Sequence, residues 1–304
     1  MKITANHISI EVEDSGGETR PVVLLIMGLG MQLIDWPDEM VSLLVAAGFR
    51  VIRYDNRDAG LSQRFDHIRQ GSLFWQKIRF CLGLPVRAVY SIQDMTDDAL
   101  GVLDALNIPH AHIIGASMGG MIAQRFAATY PERSTSLVSI MSSSGASYLP
   151  RPQPEIIAAL LSKPDGMSED ELIAHQLKIM AIVVSPAELL DLDRDKWLRH
   201  LRMALRRGGY HPNGSLRQIL AIMTDSCRAD LLVQIRCPTL VVHGEDDPLM
   251  PIACGEDTAR RIAGSEFLPI PKMGHSFPPQ FMQAMHEKII PFLHGIGGVH
   301  RIEK

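Results

Sequence analysis

The chain has 304 residues, 46% of them apolar and 21% charged, with a formal net charge of −4. A chain of this size and balance buries a large core without disulfides, which excludes collagen-like, disordered and disulfide-framework classes. The mild acidity offers no basic face, so neither nucleic acid nor an anionic membrane surface is expected as a partner.

The first segment, residues 3–12, alternates polar and apolar positions and predicts one antiparallel edge strand. Residues 21–27 (PVVLLIM) are almost continuously apolar, as in a central parallel strand buried on both faces. Residues 50–55 (RVIRYD) read the same way, and residues 63–90 are too long for an ordinary connection. A helix is predicted over 91–107, where Ile92, Met95, Ala99, Leu103 and Leu106 share one face; Ser91 and Asp94 have capping-box spacing at its start. Residues 111–116 (AHIIGA) and 136–141 (SLVSIM) predict two strands with a helix between them. Residues 146–230 contain no strand pattern and predict several helices, rich in Leu, Met and Ile. Strands return at 238–244 and 266–270, before a last helix.

Strands separated by helices predict right-handed βαβ units and a mostly parallel sheet with helices on both faces. The expected organisation is an α/β core over 1–145 and 231–304, with 146–230 inserted as a helical cap above the sheet's C-terminal edge. That edge is where open α/β sheets bind ligands.

Gly115-Ala116-Ser117-Met118-Gly119 follows a predicted strand and opens a helical pattern. Such a turn holds a serine at the sheet's open edge, and side chains two residues to either side would collide there. A serine hydroxyl needs a base to take its proton. His275, in a loop between the last predicted strand and the last helix, is the candidate among twelve histidines. His243 precedes a strand-end glycine and reads as structural; His110 and His112 flank a strand entrance without metal-spaced companions; His294 and His300 belong to the tail. A third group must orient the imidazole, and Asp246 and Asp247 compete after the 238–244 strand. Asp247, three residues beyond Gly244, is the choice, with Asp246 the alternative. The chain order Ser117, Asp247, His275 is the one that sets one serine-triad fold apart from two others.

An oxyanion formed at a carbonyl requires fixed donors. The expected ones are the backbone N–H groups of Met118 and of Leu29 in Gly28-Leu29-Gly30, after the first central strand. Gly28, Met31 and Trp36 are expected to border the substrate pocket. Asp55 and Arg57 read as opposite charges pinning a loop, and Glu169, Asp170 and Glu171 as a solvated helix start.

Together these motifs resemble the α/β-hydrolase superfamily, over roughly residues 1–145 and 231–304. The resemblance rests on Met27-Gly28-Leu29-Gly30, residues 55–62, residues 115–120, residues 244–251 and Gly274-His275. Trp36-Pro37-Asp38-Glu39 and residues 51–58 look like the branch that contains the aclacinomycin methylesterases. Two departures stand out: Met27 occupies a position that is often His, and Asp58 one that is commonly Gly. Ser117 stands where a dehalogenase or epoxide hydrolase would carry Asp.

The resemblance implies a cofactor-free serine esterase, monomeric or homodimeric, acting on a small-molecule ester that is apolar and bulky. A lactonase, thioesterase, peptidase or carbon–carbon hydrolase would use the same triad, and a slow small-molecule receptor could retain it. Cys81, Cys227, Cys237 and Cys254 lie far apart with no C-x-x-C pair, and each reads as a small buried hydrophobe in a reducing compartment. Glu11, Glu13 and Asp14 interrupt what a signal peptide would need, and no stretch nears the length of a membrane span. The expected location is cytoplasmic, without membrane insertion or a metal.

Overall fold

A computed structural model of the chain describes residues 1–68, 71–190, 193–225 and 228–299. Eight strands form one sheet: β1 (Lys2–Ala5), β2 (Ile8–Asp14), β3 (Val22–Ile26), β4 (Arg50–Tyr54), β5 (Ala111–Ala116), β6 (Ser134–Ile140), β7 (Thr239–Gly244) and β8 (Glu266–Ile270). Their spatial order is β1-β2-β4-β3-β5-β6-β7-β8. From β4 onward every pairing is parallel, whereas β1–β2 and β2–β4 are antiparallel.

Helices in the first half are α1 (Asp38–Ala46), α2 (Leu73–Cys81), α3 (Ile92–Ala105) and α4 (Met118–Thr129). Six more lie between β6 and β7: α5 (Pro154–Leu160), α6 (Glu169–Val183), α7 (Pro186–Leu190), α8 (Arg194–Gly208), α9 (Pro212–Thr224) and α10 (Arg228–Leu231). The chain closes with α11 (Ala253–Arg261), α12 (Pro279–Ala284) and α13 (Ile290–Val299). No helix among the described residues is long and apolar enough to cross a membrane.

The central strands are apolar at every position because both faces are covered. In β3, Val22, Leu24 and Ile26 point into one layer, with Val102, Ile122 and Phe126 of α3 and α4. Val23 and Leu25 point the other way, toward Met40 and Leu44 of α1 and Phe281 of α12. This is the period-two alternation of a strand, buried twice over. At α3 the Ser91 hydroxyl accepts the Asp94 N–H at 3.2 Å while the Asp94 carboxylate accepts the Ser91 N–H at 2.7 Å, so the expected capping box is present.

Two expectations are corrected here. Residues 3–12 are not one strand: Asn6 and His7 take φ of 47° and 64°, folding the segment into the β1–β2 hairpin. Positive φ at both central positions is the signature of a tight hairpin turn, here made without the usual glycine. Cys81 is exposed at the end of α2, because that helix turns Phe74, Trp75 and Leu82 outward as well. Cys254 is buried and Cys237 half-buried, as expected of small hydrophobes; Cys227 and His300 lie outside the described residues.

Candidate active site

Ser117 sits between β5 and α4 with φ 56° and ψ −120°. This is a strained conformation for a residue with a side chain, of a kind costing roughly 1–3 kcal/mol. Its N–H donates to Ile140 O at 2.9 Å, and its carbonyl accepts the Ser142 hydroxyl at 2.8 Å, so β6 holds the turn in place. The flanking glycines are required by close approach. A Cβ on Gly115 would lie 2.1 Å from Gly119 O, and one on Gly119 would lie 1.9 Å from Ile26 O. The helix therefore starts directly against the end of β3, and any larger residue would push it away.

Two loops then bring their side chains to Ser117. His275, between β8 and α12, has Nε2 at 2.9 Å from Ser117 Oγ and Nδ1 at 2.7 Å from Asp247 Oδ2. An ionised carboxylate only accepts, so Nδ1 carries the proton and Nε2 is free to accept from the serine hydroxyl. Asp247 is buried, and its Oδ1 accepts the Leu249 and Met250 N–H groups at 2.9 and 2.7 Å. The neighbouring Asp246 is exposed, and among the described residues only its backbone N–H is engaged, on Met273 O at 3.0 Å. His243 is buried behind this loop and donates from Nε2 to Met250 O at 2.6 Å. Burial lowers its basicity, which suits a neutral brace for the Asp247 turn.

On the β3 side, Gly28 is buried, and a Cβ there would stand 3.2 Å from Ser117 Cβ. Met118 is buried at the first position of α4, where the N–H groups of a helix have no intrahelical partner. Leu29 is half-buried, and Met31 is exposed at the loop's outer edge. Trp36 was expected at the pocket and is instead a core residue. It is fully buried with Met40 and Phe281, and its ring packs 5.3 Å from that of Phe277, two residues beyond His275. The reason is that Trp36, directly after the short 3₁₀ turn Leu33–Asp35, joins the core layer of Met40 and Phe281 and packs on Phe277.

The loops at this edge are tied to the inserted helices. Gly30 N–H donates to Gln218 Oε1 of α9 at 2.7 Å, and Gln218 Nε2 returns a bond to Arg57 O at 2.8 Å. Asp55 and Arg57 do pin loops, but not as a mutual pair. Asp55 accepts the Leu33 and Leu61 N–H groups and Arg207 of α8, at 2.7, 2.8 and 2.7 Å. Burial still raises its carboxyl above the ordinary range against those bonds. Arg57 is paired with Asp98 of α3 at 2.6 Å. Asp58, the departure from glycine, keeps the glycine-like backbone with φ 65°. Its carboxylate accepts both Arg217 Nε and Nη2 from α9, at 2.7 and 2.8 Å, and the Tyr90 hydroxyl at 2.8 Å. The side chain added at that position thus ties the β4 loop to the insertion. Glu169 begins α6 and pairs with exposed Arg206 at 2.9 Å, as a solvated helix start would.

Sequence reasoning did not single out Gln218, Arg207 or Glu188 of α7, which binds the His275 loop. Only Glu188 carries a local signal, the spacing Ser185-Pro186-Ala187-Glu188 of a capping box. The partners of the other two are more than 150 residues away in the chain.

Fold and site geometry together define an α/β-hydrolase. The sequence profile of the alpha/beta hydrolase fold matches residues 21–280, and the chain belongs to that family. It is 28% identical over 306 residues to rhodomycin D methylesterase DauP of Streptomyces sp. (strain C5), covering 94% of each chain. Among solved structures it is similar to a hydrolase from Pseudomonas aeruginosa PA01, with TM-score 0.71, 25% identity and 96% and 97% of the two chains covered. The enol-lactonase from Burkholderia xenovorans LB400 shares the fold, with TM-score 0.74, 21% identity and coverage of 97% and 100%.

Two outcomes check this description. Trp36→Ala should destabilise the protein by about 3–5 kcal/mol in urea unfolding, whereas Trp36→Phe should cost much less, since the ring fills core rather than pocket. A Trp36→Ala variant of full stability with only a raised KM would return this residue to the pocket. His200 of α8 lies 2.6 Å from Asp35, whose carboxylate raises the imidazole above its ordinary range. A raised folded value stabilises fully below the unfolded value, about 6.5, and the contribution is lost as pH rises through the folded value. The stability lost in His200→Gln should therefore be largest near about pH 6 and shrink toward about pH 9, measured by urea unfolding across that range.

Proposed function

We propose that this chain is a serine hydrolase of carboxylic esters, with Ser117 as nucleophile, His275 as base and Asp247 as the orienting acid. The single observation that carries the reading is the unbroken chain of short contacts, Ser117 to His275 at 2.9 Å and His275 to Asp247 at 2.7 Å, beside a strained turn. The methylesterase relative, similar along 94% of its length, supports an ester as the substrate.

In this mechanism His275 Nε2 takes the Ser117 proton as Oγ attacks the ester carbonyl. The negative charge that gathers on the carbonyl oxygen is held by the N–H groups of Met118 and Leu29. Among the described residues neither N–H donates a hydrogen bond, while their neighbours Ser117 and Gly30 both do. Collapse of the tetrahedral intermediate breaks the carbon–oxygen bond, and the imidazolium protonates the departing alcohol. Water, deprotonated by His275, then attacks the acyl-enzyme and regenerates Ser117. Asp247 stays ionised throughout, fixing the tautomer and stabilising the imidazolium.

Residues 146–230 act in this proposal as a cap over the site. Their helices reach the loops after β3 and β4 and the loop carrying His275. Met31 and Gly28 border the entrance between core and cap. The substrate is a small-molecule ester with an apolar, bulky acyl group and a small alcohol, as the methylesterase relative suggests.

Ser117→Ala should lose at least about a thousandfold in kcat on p-nitrophenyl butyrate while unfolding at the wild-type urea midpoint. A serine-directed fluorophosphonate should label the wild type at Ser117 and leave the variant unlabelled. Undiminished turnover in Ser117→Ala would eliminate the mechanism. Turnover too slow to measure in a wild type that still binds ligand would favour the receptor reading instead.

A further inference from the structure

The loop that presents His275 is held chiefly by a segment from the insertion. Val183 O, at the end of α6, accepts the His275 N–H at 2.8 Å. The Ser185 hydroxyl donates to Lys272 O at 2.6 Å. Glu188 of α7 accepts the Gly274 N–H at 3.1 Å and the Ser276 hydroxyl at 2.6 Å, both on Oε1. Its other oxygen, Oε2, accepts the Ser185 N–H at 2.7 Å, and the Ser185 hydroxyl accepts the Glu188 N–H at 3.2 Å.

Glu188 therefore does two separate things with two oxygens. Oε2 completes a capping box on its own short helix, which is a local structural duty. Oε1 crosses to residues 86 and 88 positions away and grips the two neighbours of His275. A capping box needs only the first of these. The approach is also too close for a side chain between them: a Cβ on Gly274 would lie 2.4 Å from Ser185 N and 2.9 Å from Glu188 Oε2. The glycine before His275 is thus where the insertion presses against the loop.

We infer that Glu188 is a positioning residue for the reaction, holding the imidazole of His275 between Ser117 and Asp247 through the backbone of Gly274 and the hydroxyl of Ser276. This rests on the serine-hydrolase reading above. The imidazole must move a proton twice per turnover, from Ser117 to the alcohol and from water to Ser117. Both transfers require Nε2 to stay within hydrogen-bond reach of two partners in turn, and small displacements are costly in such steps. Without Oε1, the Gly274 N–H and the Ser276 hydroxyl lose their acceptor, and from the insertion only the Val183 and Ser185 bonds remain on the loop. The inserted helices would then contribute to catalysis itself as well as to enclosing substrate.

The test combines Glu188→Ala, Glu188→Gln and Ser276→Ala in the full chain, with steady-state kinetics on p-nitrophenyl butyrate. Glu188→Ala should lower kcat about tenfold or more with KM within about twofold, since the change lies in proton transfer and not in substrate contact. Glu188→Gln can keep its one carbonyl oxygen on Gly274 and Ser276 while its amide nitrogen gives up the Ser185 N–H bond, so it should recover part of the lost kcat and exceed Glu188→Ala. Ser276→Ala leaves the capping box whole and should still lower kcat several-fold.

The low-field proton resonance of His275 Nδ1–H gives a readout that a mere helix cap would not move. It should broaden or vanish in Glu188→Ala and persist in Glu188→Gln. An unchanged kcat in a folded Glu188→Ala, or in Ser276→Ala should the first variant not fold, overturns the inference. The reading it rests on fails differently, through absent Ser117 labelling in the wild type; the resonance would then still show whether Glu188 holds the loop.

Discussion

Everything at this site depends on one sharp reversal of the backbone. At Ser117 the chain leaves a fully buried strand and enters a helix within a single residue, in a conformation that side chains avoid. The reversal is possible because α4 starts in contact with the carbonyl end of β3, and that contact leaves no room for a Cβ on Gly119. The strain is opposed by packing on both sides: Ile122 and Phe126 lie in the core, and β6 captures the Ser117 N–H. A hydroxyl held in this way cannot retreat into the sheet, and the first N–H groups of α4 are fixed beside it. In the proposed mechanism, a nucleophile that stays aligned without any reorganisation is the main thing this fold contributes to acyl transfer.

The other participants are carried on loops, and loops need their own restraints. Asp247 is held by the N–H groups of its own turn, with buried His243 behind it. The loop after β3 is held from above by Gln218 and from below by the packing of Trp36 on Phe277. The loop after β4 is fixed by the Asp55–Arg207 and Asp58–Arg217 pairs. In both pairs the arginine comes from the insertion and the carboxylate from the core, and both carboxylates are buried. Buried pairs of this kind add little net stability but penalise alternative arrangements heavily, because separating them strands a charge. They therefore specify where the helices sit over the sheet more than they strengthen the fold.

Much of this was legible in the sequence wherever the determinant was local. The β3, β5 and β7 strands announce themselves as short apolar runs, and the Ser91–Asp94 cap as a spacing. The candidate residues Ser117, Asp247 and His275 could be singled out because each lies within three residues of a glycine in a turn or loop that follows a strand. Where the determinant is a distant partner, local pattern fails. Asn6 and His7 turn a hairpin without glycine, because the β1–β2 pairing outweighs the cost of positive φ at two residues. Trp36 reads like a pocket residue from its neighbours in sequence, and only the arrival of Phe277 and Phe281 makes it core. Gln218 and Arg207 look like ordinary polar positions on amphipathic helices until the loops they bind are folded against them.

Under the proposed function, a division of labour with chemistry in the core and selectivity in the inserted helices would not hold here. The N–H beside Leu29, the carboxylate of Asp55 and both flanks of His275 are bound by residues from the inserted helices. Substituting those helices would therefore also disturb the loops that, in the proposed mechanism, align Ser117, His275 and the oxyanion donors. Under the proposed function, specificity and turnover would be coupled through a handful of hydrogen bonds, because one stretch of chain restrains the loops after β3 and β4 and the loop carrying His275.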